Sequence, residues 1–339
     1  MTVTTKTTLT RKDFISDQNV RWCPGCGDYA ILAQAQKVFP DLGVPKENFL
    51  IVSGIGCSSR FPYYMDTFGF HSIHGRATPL ATGAKLANPD LSVWVVTGDG
   101  DSMSIGGNHL IHILRRNLDI NILLFNNEVY GLTKGQYSPT SAQGHISKST
   151  PLGSVDYPFN PPQLALGAGG TFIARGIDRE QKHLQSLLRD AHNHSGTSFV
   201  EIYQNCWVFN DGAFANLTER ELKMETQLIL DQGKPMIFGK ERNKGMRLAG
   251  GKLEVVELGE TSSMDEILVH DDSNKIQGLL LSELTHKDGF PTPIGIIYRE
   301  NKPTYEDLLY DQMDKAINSQ GEGDLDTLFR NGHTWKVQK

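Results

Sequence analysis

Cysteine is scarce in this chain: 339 residues hold four, at positions 23, 26, 57 and 206. That is too few for the disulfide framework of a small secreted module, and four inert, buried thiols would be an ordinary finding. Long apolar runs are missing as well; none approaches the ~18 residues that a bilayer-crossing helix needs. The Thr-rich first ten residues lack the apolar core of a secretory signal. Residues 1–13 are therefore expected to be a disordered lead-in, and the protein to be cytoplasmic with no membrane partner. Positive charge is also short. The 33 Lys and Arg against 39 Asp and Glu leave a net charge of −6, which argues against nucleic acid as a partner. The 34 glycines and a hydrophobic content of 38% suit an α/β protein with many strand–helix turns.

The most informative stretch runs from Val93 to Thr140. A Val/Trp run reads as a buried strand that breaks at Gly98-Asp99-Gly100. An amphipathic helix follows, with Ile105, Leu110, Ile113 and Leu114 expected inward and Arg115 and Arg116 outward. A second apolar run, 120–125, ends at Asn126-Asn127. This is one βαβ unit with oxygen-bearing residues at both strand ends, where ligands bind in open parallel sheets. Asp99 offers a carboxylate and Asn127 an amide oxygen, both suited to Mg²⁺, an ion that commonly shares its shell with phosphates. Glycines beside Asp99 allow a diphosphate to approach the backbone. Asp-Gly alone is an ordinary turn dipeptide, but the 28-position separation of Asp99 and Asn127 across a helix is rarer. The combination resembles the thiamine diphosphate motif.

The cysteines stand in suggestive places. Cys23-Pro-Gly-Cys26 forms a knuckle able to point two sulfurs at one metal centre. A thioredoxin-like dithiol is the rival reading, although the segment before Cys23 is short and polar. Asp28 is expected to cap a helix carrying Tyr29, Leu32, Ala35 and Val38/Phe39 on one face. Residues 49–52 read as a strand leading into a loop with Ile55, Gly56, Cys57, Ser58 and Arg60. Arg60 is either a fixed charge near a cofactor or a solvated surface residue. His74-Gly75-Arg76 precedes a Thr-Pro break before a helix. The segment 138–160, rich in Pro, Ser, Gly and Thr, is too long for an idle connection and reads as functional or as an interface. A short helix at 164–170, a strand at 171–174, a helix at 179–194 and a last strand at 199–203 complete the domain. Cys206 lies just past that strand, so Cys57, Asp99, Asn127 and Cys206 should share one rim, with the Cys23/Cys26 knuckle folded over it. Four thiolates suit either Zn²⁺ or an iron–sulfur cluster.

The expected fold is α/β, an open, mostly parallel sheet with flanking helices over residues 14–210, followed by an α+β extension over 211–320. Within the extension, 217–231 reads as charged and helical, 239–251 as basic and glycine-bearing, and 253–258 as β-like. His270-Asp271-Asp272 reads as an acidic patch and 279–284 as part of a Leu-rich helix. Residues 321–339 form a polar tail expected to be mobile.

Taken together, WCPGCGDYA, SGIGCSSR, HSIHGRA, VVTGDGDSMSIGGNHLIH, NNEVYGLTKGQYSPT and the Asn-Cys after the last strand resemble the β subunit of 2-oxoacid:ferredoxin oxidoreductases. The resemblance is greatest to the 2-oxoglutarate type with a C-terminal extension, although Lys302 stands where an arginine is expected. It implies thiamine diphosphate bound with Mg²⁺ on Asp99, Asn127 and the main-chain oxygen of Val129. It also implies a 4Fe–4S cluster on Cys23, Cys26, Cys57 and Cys206. Ile55, Gly56, Cys57, Ser58, His74, Gly75, Arg76, Gly98, Gly100, Asp101, Gly131 and Leu132 would line the cofactor, with Arg60 and His74 as catalytic candidates. The implied reaction is oxidative decarboxylation of a 2-oxoacid to acyl-CoA and CO₂, with electrons passed to ferredoxin. The implied partner is an α subunit, in an αβ or (αβ)₂ assembly, which supplies the glutamate beside the cofactor's aminopyrimidine. The rim loops 54–60, 71–76 and 97–107 contain none, and Glu128 should face the diphosphate end. Pyruvate- or branched-chain-type substrates are the alternative within the family. A non-redox thiamine decarboxylase or carboligase and a zinc-stabilised scaffold are the rivals outside it.

Overall fold

The computed structural model describes residues 9–259, 262–285 and 290–338. The first eight residues of the expected lead-in lie outside this range, as does Lys339. Within it, eleven strands are formed: β1 (Phe49–Ser53), β2 (Phe68–His71), β3 (Ser92–Gly98), β4 (Ile120–Asn126), β5 (Phe172–Ile177), β6 (Ser198–Tyr203), β7 (Gln227–Leu230), β8 (Ile237–Phe238), β9 (Lys244–Ala249), β10 (Lys252–Glu257) and β11 (Thr292–Arg299). Eight of them make one sheet in the order β2-β1-β3-β4-β6-β5-β11-β7. The first six in that order are mutually parallel, and β11 runs antiparallel to β5 and parallel to β7. The open, mostly parallel α/β sheet expected from the βαβ pattern is thus formed.

Both faces of the sheet are covered, which is why its central strands are near-continuous apolar runs rather than alternating ones. Leu50, Val52, Val93, Val95, Ile120, Ile122 and Leu124 pack on one side with Leu110, Ile113 and Leu114 of the helix Gly107–Arg116. Phe49, Ile51, Trp94, Val96, Leu123 and Phe125 pack on the other, against Ile31, Leu32 and Ala35 of the helix Asp28–Val38 and Leu184, Leu187 and Leu188 of Gln181–Asn193. Neighbouring residues of each strand go to opposite layers, the period-two signature of a sheet buried on both faces.

Several local expectations are corrected. Ile105 is 52% exposed because it lies in the turn before the helix, which starts only at Gly107. Gly27, not Asp28, is the N-cap of the first long helix; Asp28 is its first residue and is buried, while Tyr29 is exposed and Ile31 packs inward instead. Thr78-Pro79 does not break the chain but sits in the first turn of the helix Ala77–Ala87, where proline is tolerated. The short helix near 164 begins three residues earlier, at Pro161, with Asn160 accepting a cap bond from the Gln163 amide. Residues 199–203 form β6, the last strand before residue 210 as expected, and β11 and β7 of the extension widen the same sheet beyond β5. The segment 217–231 is not one helix. It holds single turns at Ala215–Thr218 and Lys223–Thr226 and then β7, whose Leu228 and Leu230 alternate into the core.

The extension is latched onto the rest by buried polar contacts. Asn117, in the left-handed region at φ 57°, ends the helix Gly107–Arg116. Its Oδ1 accepts from Thr171 Oγ1 (2.6 Å) and the Thr197 amide (3.0 Å), and its Nδ2 donates to the Pro303 carbonyl (3.2 Å). The supposed acidic patch turns inward. Asp272 pairs with Arg299 Nε at 2.9 Å, and His270 Nε2 meets the Ile296 carbonyl at 2.8 Å.

Candidate functional site

The carboxyl ends of β1, β3, β4 and β6 converge on one edge of the sheet, and a cleft of ≈ 520 Å³ opens there. Its lining contains Ile55, Gly56, Cys57, Ser58, His74, Gly98, Asp99, Gly100, Asp101, Asn127, Val129, Gly131 and Leu132, all singled out from sequence. Phe125, Tyr130, Thr133 and Gln136 join them without having been anticipated. Gly75 and Arg76 are not part of the lining. The Arg76 guanidinium turns instead to the carbonyls of Gly75 and Ile105, 3.3 Å from each.

Asp99 sits at the head of a single helical turn, Asp99–Met103, directly after β3. It is 3% exposed, and its Oδ2 accepts from Ser138 Oγ (2.5 Å) and Thr140 Oγ1 (2.7 Å). Burial pushes its carboxyl up to about 6, with the two hydroxyls opposing that shift. A buried carboxylate held away from water gains from a cation brought beside it, so the residue fits a metal ligand. Asn127 lies opposite. Glu128, left-handed at φ 55°, turns the chain so that Asn127 and Val129 both reach the cleft. The Asn127 Oδ1 accepts from the Val129 amide at 3.2 Å. Glu128 itself is buried outside the lining. The two glycines flanking Asp99 differ in purpose. A Cβ on Gly100 would lie 2.1 Å from the Tyr130 ring, so that glycine makes room for tyrosine. A Cβ on Gly98 would meet only Ser58 Oγ (3.5 Å) and the Phe125 carbonyl (3.9 Å), leaving its backbone open to the cleft.

Asp101 binds the surrounding loops together. Its Oδ1 accepts from the amides of Ile55 (3.0 Å) and Gly75 (2.8 Å) and lies 2.6 Å from His74 Nδ1, while its Oδ2 accepts from Thr97 Oγ1 at 2.7 Å. The loops after β1 and β2 are thereby fixed to the turn after β3. With Nδ1 engaged, Nε2 is the ring nitrogen that His74 can offer to the cleft. Sequence reasoning missed Ser138 and Thr140, whose only signal was a cluster of small hydroxyl residues in an overlong loop. Below them a buried chain continues: Thr140 Oγ1 to Asn126 Oδ1 (2.9 Å), Asn126 Nδ2 to Glu201 Oε1 (2.8 Å) and Glu201 Oε2 to Arg175 Nε (2.7 Å). The Arg175–Glu201 pair is fully buried, and Arg175 Nη1 donates to the Leu284 carbonyl of the extension at 3.1 Å.

The cysteines gather at the same edge. A Cβ on Gly131 would lie 3.5 Å from Cys57 Sγ and 3.7 Å from Cys206 Sγ, so the cleft wall, which includes Cys57 itself, lies directly against both thiols. The knuckle is fastened over them. Trp22 Nε1 donates to the Cys57 carbonyl (2.6 Å), the Gly27 amide to the Asn205 carbonyl (3.1 Å), and Gly25, at φ 82°, packs against the Trp207 ring. Burial raises the Cys26 thiol, with the nearby Asp28 charge and the Cys57 and Cys206 thiols adding to the shift. Burial, with the Asp28 charge and the Cys206 and Cys23 thiols, pushes Cys57 up to about 12. Asp28, buried beside Cys26 and Asp178, is itself raised to about 7, mainly by desolvation. Clustered thiols of this kind ionise when a multivalent cation or cluster compensates them. Among the described residues no three His, Cys, Asp or Glu side chains come close enough to hold a single metal ion. Four thiols, one cysteine per iron, are the donor set that a four-iron cluster takes.

Arg60 does not line the cleft. It faces an adjoining pocket of ≈ 480 Å³ with Arg21, His71 and Tyr63, which shares Ile55, Gly56 and Leu132 with the first.

Residues 54–202 match the family described as "Thiamine pyrophosphate enzyme, C-terminal TPP binding domain". The 2-oxoglutarate oxidoreductase subunit KorB of Mycobacterium tuberculosis is 50% identical over 330 residues, 96% of this chain and 88% of that protein. The 2-oxoacid:ferredoxin oxidoreductase subunit beta of Saccharolobus solfataricus is 43% identical over 309 residues, 90% of each. A solved structure of 2-oxoglutarate:ferredoxin oxidoreductase from Magnetococcus marinus, described with 2-oxoglutarate, coenzyme A and succinyl-CoA bound, matches with a TM-score of 0.76 at 30% identity and covers 97% of each chain. Among the described residues no helix is long and apolar enough to cross a membrane.

Proposed function

The chain belongs to the family of 2-oxoacid:ferredoxin oxidoreductase β subunits, and from that premise we propose that its one cleft edge serves two redox-linked centres. Thiamine diphosphate with Mg²⁺ sits on Asp99, Asn127 and the Val129 carbonyl, and a 4Fe–4S cluster sits on Cys23, Cys26, Cys57 and Cys206. The observation that carries the reading is Gly131, which lines the cleft and lies against the sulfurs of Cys57 and Cys206. A cluster at that distance is useful to a thiamine enzyme only if electrons leave the substrate.

When bound, thiamine diphosphate supplies the electron sink for decarboxylation, and the cluster supplies one-electron transfer. The chain's own residues orient and enclose. Asp99 contributes the only protein charge among the three proposed metal ligands. Gly98 admits the diphosphate to the backbone, and Asp101 holds His74 with Nε2 toward the cleft. Arg60, in the pocket that adjoins through Ile55 and Leu132, is a cation suited to a bidentate contact with the substrate carboxylate. The overall change balances as 2-oxoacid, coenzyme A and two oxidised ferredoxins giving acyl-CoA, CO₂, a proton and two reduced ferredoxins. The names of the M. tuberculosis and M. marinus relatives support 2-oxoglutarate as the 2-oxoacid.

An α subunit completes the site, because among the described residues no glutamate lines the cleft to partner an aminopyrimidine ring. The segment 138–160 is the proposed contact surface. Its inner end holds Asp99, while Ile146, Leu152, Val155 and Tyr157 project outward. The deciding assay is 2-oxoglutarate- and coenzyme A-dependent reduction of a viologen dye by the co-expressed complex prepared without oxygen. The complex should turn over and contain four irons per β chain by Cys₄ ligation, and the β chain alone should be inactive. Stoichiometric zinc, or turnover by β alone with α excluded by mass spectrometry, would overturn the reading.

A further inference from the structure

Gln204 stands one residue beyond β6, 1% exposed, between the two proposed centres. Its Nε2 donates to Cys26 Sγ (3.3 Å) and to the Asn205 carbonyl (2.7 Å), and its Oε1 accepts from Asn127 Nδ2 (2.9 Å). The orientation of both amides follows from this set. The Asn205 carbonyl can only accept, so it requires the Gln204 nitrogen on its side. That leaves Gln204 Oε1 toward Asn127 and requires the Asn127 nitrogen to face it. Asn127 Oδ1 is then turned to the Val129 amide and the cleft. No other assignment satisfies every donor and acceptor in the chain.

We infer that Gln204 is a positioning residue that couples the two centres, donating to the sulfur of the cluster ligand Cys26 while aiming the Asn127 oxygen at the metal. The inference rests on the functional reading above and deepens it. Two physical consequences follow. An N–H···S bond stabilises the more negative, reduced state of a cluster and so raises its reduction potential. A second-shell partner that holds a ligand's orientation sustains metal affinity, and its loss costs about 10–100-fold. The Asp28 main chain also bonds to Cys26, but it does not reach Asn127, so Gln204 alone among these contacts links the cysteine to the proposed metal ligand. The Gly27 amide is committed to the Asn205 carbonyl, and the Asn205 amide to Asp178 Oδ2 at 3.1 Å.

The test uses the co-purified complex carrying Gln204→Met, which keeps the side chain's length and removes its amide. Gln204→Glu is the second variant; its carboxylate oxygens still accept from Asn127 Nδ2, and when ionised it has no proton for Cys26. The readouts are the cluster midpoint potential, from a redox titration followed by electron paramagnetic resonance, and the Mg²⁺-dependent affinity for thiamine diphosphate by calorimetry. In Gln204→Met the potential should fall and the affinity should weaken by about tenfold or more. In Gln204→Glu the potential should fall while more of the affinity is kept. A Gln204→Met complex with wild-type iron content that retains either its potential or its affinity would overturn the coupling. Should Gln204→Met fail to assemble, an unchanged potential in Gln204→Glu would do the same. Wild-type complex that lacks iron, or binds thiamine diphosphate with no need of Mg²⁺, would instead sink the functional reading beneath it.

Discussion

Asp101→Ala is the sharpest single perturbation of the cleft, because one buried carboxylate joins three loops. The substitution removes an acceptor from the amides of Ile55 and Gly75, from His74 Nδ1 and from Thr97 Oγ1. A hydrogen bond to a charged group contributes about 1.5–3 kcal/mol, and a buried donor left unpaired costs about 1–3 kcal/mol. The Gly75 amide is buried and the Ile55 amide partly so. Four such contacts are not additive. Thr97 can rotate toward another acceptor, and His74, half-exposed, recovers a partner in water. The two amides and the lost loop closure then amount to ~3–5 kcal/mol, near the upper limit for one substitution. Asp101→Asn keeps an acceptor for the amides and presents its NH₂ to Thr97, so it should lose only ~1–2 kcal/mol. Amide hydrogen exchange reads the effect directly. Protection at Ile55 and Gly75 should fall by about 100-fold or more in Asp101→Ala, and more than in the helix Asp28–Val38, which makes none of these bonds. Thiamine diphosphate affinity should fall with the loosened loops. Unchanged protection at both amides in the alanine variant would refute the argument.

Asp99→Asn preserves acceptors for Ser138 and Thr140 but removes the metal ligand's charge; the fold should persist by circular dichroism while Mg²⁺-dependent thiamine diphosphate affinity drops about 100-fold or more. Arg60→Ala should raise the KM for the 2-oxoacid about tenfold or more, through loss of a bidentate carboxylate contact, with iron and thiamine diphosphate contents unchanged; an unaltered KM would return Arg60 to a surface role. Arg175→Met leaves Glu201 buried without its cation and should lower stability by ~3–5 kcal/mol, measured by urea unfolding. The double variant Arg175→Met/Glu201→Gln should recover most of that loss, because both charges go together.

How legible these features were depends on how local their causes are. The strands β3 and β4 and the helix between them were evident because a strand buried on both faces must be a continuous apolar run, and a packed helix must repeat Leu110, Ile113 and Leu114. Cys57, Asp99, Asn127 and Cys206 were expected on one rim because parallel strands share a carboxyl edge. β2 escaped notice, since Phe68–His71 is a four-residue edge strand with no buried side chain to mark it. β7 was misread as helix because Glu and Lys around it suggest helix, and only its place beside β11 makes Leu228 and Leu230 core residues.

The amino-acid sequence alone therefore determined the family, the βαβ unit and the identity of the ligand-bearing loops, each written in short-range spacing. Only the tertiary structure decided what those loops are held by. Ser138 and Thr140 reach Asp99 from 39 and 41 positions away, Asp101 meets Ile55 across 46, and Gln204 meets Cys26 across 178. No periodicity encodes such pairs. Each depends on one donor and one acceptor meeting within ~3 Å, a condition set by how the strands and loops pack.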